Sequence, residues 1–236
     1  MTQKFPGGVR DADGRHGYVA VGPGDVAAVD LSTGAVLWRK PVGQPVAATA
    51  TRLLTLDRDR NRFVLRLFDA ATGKQIRRLT RFGMPDWADD APISPQTLRV
   101  DAAEEPSGVR VRWWVRRLYR GGAPPPAKIA AQARDEQAGA ILIDPKTGRF
   151  QSVAAAETAF DETEPGPADL GPHAAPTPDT IAIGRAGDRL FALRHRSRPG
   201  GVAEITLEAR DAGNNSTLWE TPIAQIESAR PPPLRQ

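Results

Sequence analysis

The chain has 236 residues, 32 Lys and Arg against 28 Asp and Glu, a net charge of +4 and no cysteine. Without cysteine it can form no disulfide, no thiolate metal site and no cysteine nucleophile. A net charge this small does not imply a nucleic-acid partner, and no apolar run is long enough for a membrane-spanning helix. Pro and Gly, 22 each, point to many turns. Residues 1–8 lack the apolar stretch of a secretory signal. The expected location is therefore the cytoplasm as written, or the cell envelope or periplasm if the true start lies upstream.

Residues 1–10 read as a loose lead-in. A first unit, about 11–42, carries strand signals at Gly17–Val21, Val26–Val29 and Val36–Arg39. A second, 43–83, carries them at Val46–Thr51, Arg52–Leu56, Phe63–Phe68 and Lys74–Leu79. Residues 84–96 are a polar connection. The third unit, about 97–153, has a long strand at Val109–Tyr119 and a short one at Ile141–Ile143. Between these, Pro124–Pro126 leads into good helix formers, and Gly139 follows them, which predicts a short helix over Ala127–Gln137. Residues 154–179, rich in Ala, Pro and acids, read as a loop excursion. The fourth unit, about 180–223, has strands at Thr180–Gly184, Arg189–Arg194 and Glu204–Ala209; a Pro-rich tail follows.

One turn recurs in all four units: Asp30-Leu31-Ser32-Thr33-Gly34, Asp69-Ala70-Ala71-Thr72-Gly73, Asp144-Pro145-Lys146-Thr147-Gly148, and an altered copy, Asp211-Ala212-Gly213-Asn214-Asn215. The Asp carboxylate accepts backbone N–H groups two or three residues on, and the Thr adds a local hydroxyl. Gly supplies the left-handed residue, and Asn215 is the next-best tolerator of that conformation. Between apolar runs this is a β-hairpin. The Asp residues are spaced 39, 75 and 67 apart; a four-stranded blade takes roughly 40–50 residues, so the long intervals hold either a degenerate extra blade or, the preferred reading, one blade with inserted loops. Of the preceding strands, Ile205–Ala209 alternates as a half-buried strand does; the others are more continuously apolar, as strands covered on both faces are.

The segment Ala28-Val29-Asp30-Leu31-Ser32-Thr33-Gly34-Ala35-Val36-Leu37-Trp38 resembles the pyrroloquinoline-quinone-type (PQQ-like) β-propeller repeat, whose motif is Ala-x-Asp-x-x-Thr-Gly followed by Leu-Trp. Leu67-Phe68-Asp69 and Leu142-Ile143-Asp144 match its strand and turn, and Asp211 with Leu218-Trp219 matches its ends. The resemblance covers most of the chain. It implies an all-β domain over 1–236 made of about four blades, with Trp38 and Trp219 docking one blade onto the next. That is either a small ring or part of a larger one completed by a second copy. The same repeat occurs in quinoprotein alcohol dehydrogenases and in envelope scaffold proteins of the BamB type. Those dehydrogenases use a vicinal Cys pair beside the cofactor, and this chain has none.

Candidate chemistry is sparse. Gly22-Pro23-Gly24-Asp25-Val26-Ala27 matches a dinucleotide fingerprint, but a strand follows where a helix is needed, so it reads as a turn. Asp11-Ala12-Asp13-Gly14 lacks the Gly and Glu of a calcium loop. His16, His173 and His195 have no metal or triad spacing, and no metal site is expected. In a strand, Arg110, Arg112, Trp114 and Arg116 share one face and Val109, Val111, Trp113 and Val115 the other. The first face is a basic-aromatic ladder for a partner, a solvated face, or one paired with the acidic 157–169 segment. The leading function is a non-catalytic interaction module for a protein partner, with no cofactor. The alternatives are a PQQ- and Ca²⁺-dependent enzyme using Trp113 or Trp114 as platform, and a polyanion binder through Arg110, Arg112 and Arg116.

Overall fold

The computed structural model describes residues 3–5, 7–11, 13–22, 24–59, 62–80, 82–85, 88, 97–116, 136–144, 147, 149–153, 178–198 and 202–227. Readings of Gly148, His173, the Pro124–Pro126 run, most of the 154–179 excursion and the tail lie outside these residues. Four sheets form, each with its strands in chain order. The first holds β1 (Gln3–Phe5), β2 (Gly8–Arg10), β3 (His16–Ala20), β4 (Asp25–Asp30) and β5 (Val36–Pro41). The second holds β6 (Gln44–Ala48), β7 (Arg52–Asp59), β8 (Arg62–Asp69) and β9 (Gln75–Thr80). The third holds β10 (Leu98–Glu105), β11 (Gly108–Arg116), β12 (Glu136–Ile143) and β13 (Phe150–Val153). The fourth holds β14 (Thr180–Ala186), β15 (Arg189–Arg198), β16 (Val202–Asp211) and β17 (Thr217–Glu227). From β2 onward, neighbouring strands within each sheet are antiparallel.

The sheets pair into two compact units. The second and third sheets form one, within Val42–Glu164; the first and fourth form the other, within Lys4–Arg10, Gly14–Pro41 and Pro165–Gln236. Period-2 alternation builds each core. In the first unit Leu54, Leu56, Leu65 and Leu67 meet Val109, Val111, Trp113 and Val115. In the second, Val19, Val29 and Leu31 meet Phe191, Leu193, Ile205 and Leu207. Gly139 lies against Trp113: a Cβ there would stand 2.3 Å from the indole. Consecutive Val26, Ala27, Ala28 and Val29 are all 0 % exposed, as a strand covered on both faces requires.

Four expectations are corrected. Residues 3–5 and 8–10 are strands, not a lead-in, because Phe5 finds its partner far along the chain, with its ring centroid 5.0 Å from that of Phe191. Leu98–Glu105 is a strand although its Asp-Ala-Ala-Glu-Glu run has low strand propensity; its ladder to β11 overrides that. Glu136 and Gln137, at the end of the expected helix, pair instead with Arg116 and Val115 in β12, while 127–135 lie outside the described residues. Finally, β16 is not half-buried: Glu204, Thr206 and Glu208 are buried along with the apolar positions between them.

Candidate functional site

The four Asp turns place the same groups in the same way. Asp30 Oδ1 accepts from Ser32 N at 2.8 Å, Ser32 Oγ at 2.5 Å and Thr33 N at 3.0 Å. Asp69 Oδ1 accepts from Thr72 N at 2.9 Å and Thr72 Oγ1 at 2.7 Å. Asp144 accepts from Thr147 through both oxygens. Gly34 and Gly73 have φ of 78° and 62°. In the altered copy, Asp211 accepts from Gly213 N and Asn214 N, and Asn215 adopts φ 60°. Asn214 Oδ1 there accepts from Ser216 N at 2.9 Å, as Thr33 Oγ1 accepts from Ala35 N. The Ser32 hydroxyl holds the Asp30 carboxyl below its ordinary range, and the Thr72 hydroxyl does the same for Asp69.

Position eight after the Asp joins sheets within each unit. Trp219 lies over the turn of the first sheet: a Cβ on Gly34 would stand 2.6 Å from its ring, and its Nε1 donates to Leu31 O at 3.3 Å. Thr221 Oγ1 donates to Gly34 O, and Arg39 Nη2 to Pro222 O. Trp38, 9 % exposed, packs on Tyr18 of its own sheet, with ring centroids 6.0 Å apart. In the other unit Arg77 holds position eight and its Nη2 donates to Thr147 O at 2.6 Å, so an arginine reaches the neighbouring turn where the repeat places tryptophan. Sequence reasoning missed this; the signal was the shared spacing from Asp69. A bulge before this position in β5, β9 and β17 sets Trp38, Arg77 and Trp219 opposite the residue two before the Asp.

The basic-aromatic ladder on β11 is neutralised within its own sheet. Arg110 pairs with Glu105, which holds its guanidinium more firmly protonated. Arg112 Nη2 lies 2.5 Å from Asp101 Oδ2, with both side chains about 15 % exposed. Arg99 sits over Trp114, 5.2 Å from the ring centroid. Arg116 is exposed, 4.0 Å from Glu136. The carboxylates that pair Arg110 and Arg112 come from β10, the strand that sequence reading did not find, and Glu136 comes from β12.

Beside it is a polar groove of about 390 Å³ lined by Thr51, Arg52, Glu104, Glu105, Ser107 and Asp144. Glu104 Oε1 accepts from Thr49 Oγ1, Thr51 Oγ1 and Thr51 N at 2.5, 2.6 and 3.0 Å, tying β10 to the β6–β7 turn. Burial raises the Glu104 pKa, but these threonine donors outweigh it and the net shift is downward. In the fourth sheet, Glu208 meets Arg194 at 2.7 Å and Arg210 at 2.7 Å, and accepts from Thr217. Burial again opposes the shift, and the Arg210 and Thr217 hydrogen bonds with the two guanidiniums lower the Glu208 pKa.

Among the described residues four large apolar side chains are exposed: Leu37, Phe150, Leu218 and Ile181. The first three stand on β5, β13 and β17, the last strands of their sheets, just after the Asp turns.

The model of the family described as outer membrane protein assembly factor BamB matches residues 1–232. The chain belongs to this family. Its four sheets are thus PQQ-like propeller blades, and the fold class is all-β. Similar solved structures include BamB from Moraxella catarrhalis, 14 % identical, covering 89 % of this chain and 59 % of that one with a TM-score of 0.30. Hydrazine synthase of Kuenenia stuttgartiensis is 13 % identical, covering 90 % and 47 %, with a TM-score of 0.35. A quinohemoprotein alcohol dehydrogenase from Pseudomonas putida HK5 is 14 % identical, covering 89 % and 33 %, with a TM-score of 0.32. The chain therefore spans less than two thirds of the length of each. No curated protein matches.

A fold does not by itself assign an activity. Neither tryptophan considered as a platform offers an open face. Trp113 is 3 % exposed and packed by Gly139, and the Trp114 ring carries the Arg99 guanidinium. Among the described residues no three of His, Asp and Glu converge as a metal site, and no helix is long and apolar enough to cross a membrane. At the Gly22 motif β3 runs on to β4 and no helix follows: Val21 N donates to Asp25 O and Asp25 N to Gly22 O.

Proposed function

We propose that this chain is a non-catalytic scaffold that binds a protein partner along the last strands of its blades. The observation that carries this is the placement of Leu37, Phe150 and Leu218. Among the described residues, Leu37 and Leu218 hold the same place, seven residues after the turn Asp, and Phe150 stands one residue nearer its turn on the last strand of the third sheet. Single exposed apolar residues are ordinary, but their recurrence just after the turn on the last strands of three sheets offers a partner several anchors. The neutralised β11 ladder favours these strands over that face, since ion-paired arginines must be separated from Glu105 and Asp101 before they can serve a partner. The family's description as an assembly factor agrees with a binding role.

A photo-crosslinking amino acid at positions 37, 150 and 218, introduced in cells, tests this. A discrete protein adduct is expected from at least one of them and none from exposed Arg185. Absence of adducts at all three positions removes the reading.

A further inference from the structure

Resting on that reading, we propose that the seam between β9 and β13 docks an acidic segment of the protein partner carrying an apolar side chain. Arg77 pairs with Leu67 across the β8–β9 ladder, so it points to the same side as that core residue, toward the third sheet. Phe150 pairs with Ile143 and points back toward the second sheet. The Arg77 bond to Thr147 O joins the two walls. Lys74 lies three residues before Arg77, and Arg149 two after Thr147. Lys74, Arg77, Arg149 and Phe150 are all exposed. Among the described residues no carboxylate forms an ion pair with Lys74, Arg77 or Arg149. The nearest turn carboxylates, Asp69 and Asp144, are committed to Thr72 and Thr147.

Arg77 and Phe150 facing one seam, with the exposed Lys74 and Arg149 nearby in the two segments that form it, suit a carboxylate-rich peptide with a Leu or Phe. They are too few for nucleic acid, where affinity comes from neutralising many phosphates. Edge arginines can also serve only to discourage strand addition, and the experiment separates the two roles.

Anisotropy of the full chain is measured with a short labelled peptide of alternating Glu and Ser around a central Leu. The comparison probes are an all-Ser version, oligothymidylate and phosphatidylglycerol vesicles. The acidic peptide is expected to bind saturably and to weaken with salt. Lys74→Glu with Arg149→Glu should weaken it about tenfold, whereas Arg15→Glu with Arg185→Glu, the same charge change at exposed positions away from the last strands, should not. Phe150→Ala should weaken it without altering the salt dependence. Equal weakening by both double variants, absence of binding, or tighter binding of oligothymidylate or vesicles overturns the proposal. A cellular adduct at Leu37 or Leu218 that survives Lys74→Glu with Arg149→Glu overturns it while leaving the scaffold reading intact. Loss of every adduct site in the unaltered chain removes that reading instead.

Discussion

Asn215 holds φ at 60°, where an L-residue other than Asn or Gly is strained. Replacing it with Ala should cost about 1 kcal/mol, and with Gly should be neutral or stabilising. Equal melting temperatures for the Ala and Gly variants would contradict this. The lowered pKa values of Asp30 and Asp69 have a definite sign. A carboxyl whose folded pKa lies below its unfolded value, near about 4, contributes stability above that pH and loses it as pH falls through the folded value. Glu104 and Glu208 act in the same direction. The melting temperature should therefore be level from neutral to about pH 5 and fall in more acid solution. The double variant Asp30→Asn, Asp69→Asn should lose less between the two regimes. An identical acid profile would show that these turns do not contribute.

At the scale of elements, blades are joined by side chains that reach a neighbour's turn. Trp219→Ala removes a ring packed on Gly34 and should cost about 3 kcal/mol. Gly34→Ala should be comparably harmful, since its Cβ would meet that ring at 2.6 Å and its φ is 78°. The two changes should be less than additive, because Trp219→Ala opens the space the new methyl needs; full additivity in denaturant melts would argue against the contact. In the other unit Glu104→Ala leaves the buried Thr49 hydroxyl without its carboxylate acceptor and frees Thr51 N, a loss of about 1–3 kcal/mol. A double-mutant cycle with Thr49→Val measures the coupling, and a zero coupling energy would dismiss it. The expected helix over Ala127–Gln137 failed at its described end for the same kind of reason: a ladder to β11 decides Glu136 and Gln137, not their helix propensity.

For the molecule as a whole, stability and partner binding should separate. Leu37→Lys and Leu218→Lys change exposed side chains and should leave stability within about 0.5 kcal/mol while abolishing any adduct formed nearby. Adducts that persist would place the partner elsewhere. Much of the architecture was readable in the linear chain because its signals are local. Each Asp turn closes within five residues, and the alternation of Val109 to Val115 declares a face without reference to anything distant. The strands β1, β2 and β10 were not readable, because Phe5 and the Leu98–Glu105 run become strands only through partners elsewhere. The site was legible in part. The residues of the β11 ladder could be named from spacing, but their neutralisation depends on β10, and the roles of Arg77 and Glu104 depend on contacts 70 and 53–55 residues away. What sequence alone determined was where the chain turns and which strand faces are apolar, since those depend on hydrogen bonds and side-chain alternation over a few residues. Which charges stay available to a partner was decided only when the sheets packed, because Coulomb and hydrogen-bond energies fall off over a few ångströms of space and take no account of separation along the chain.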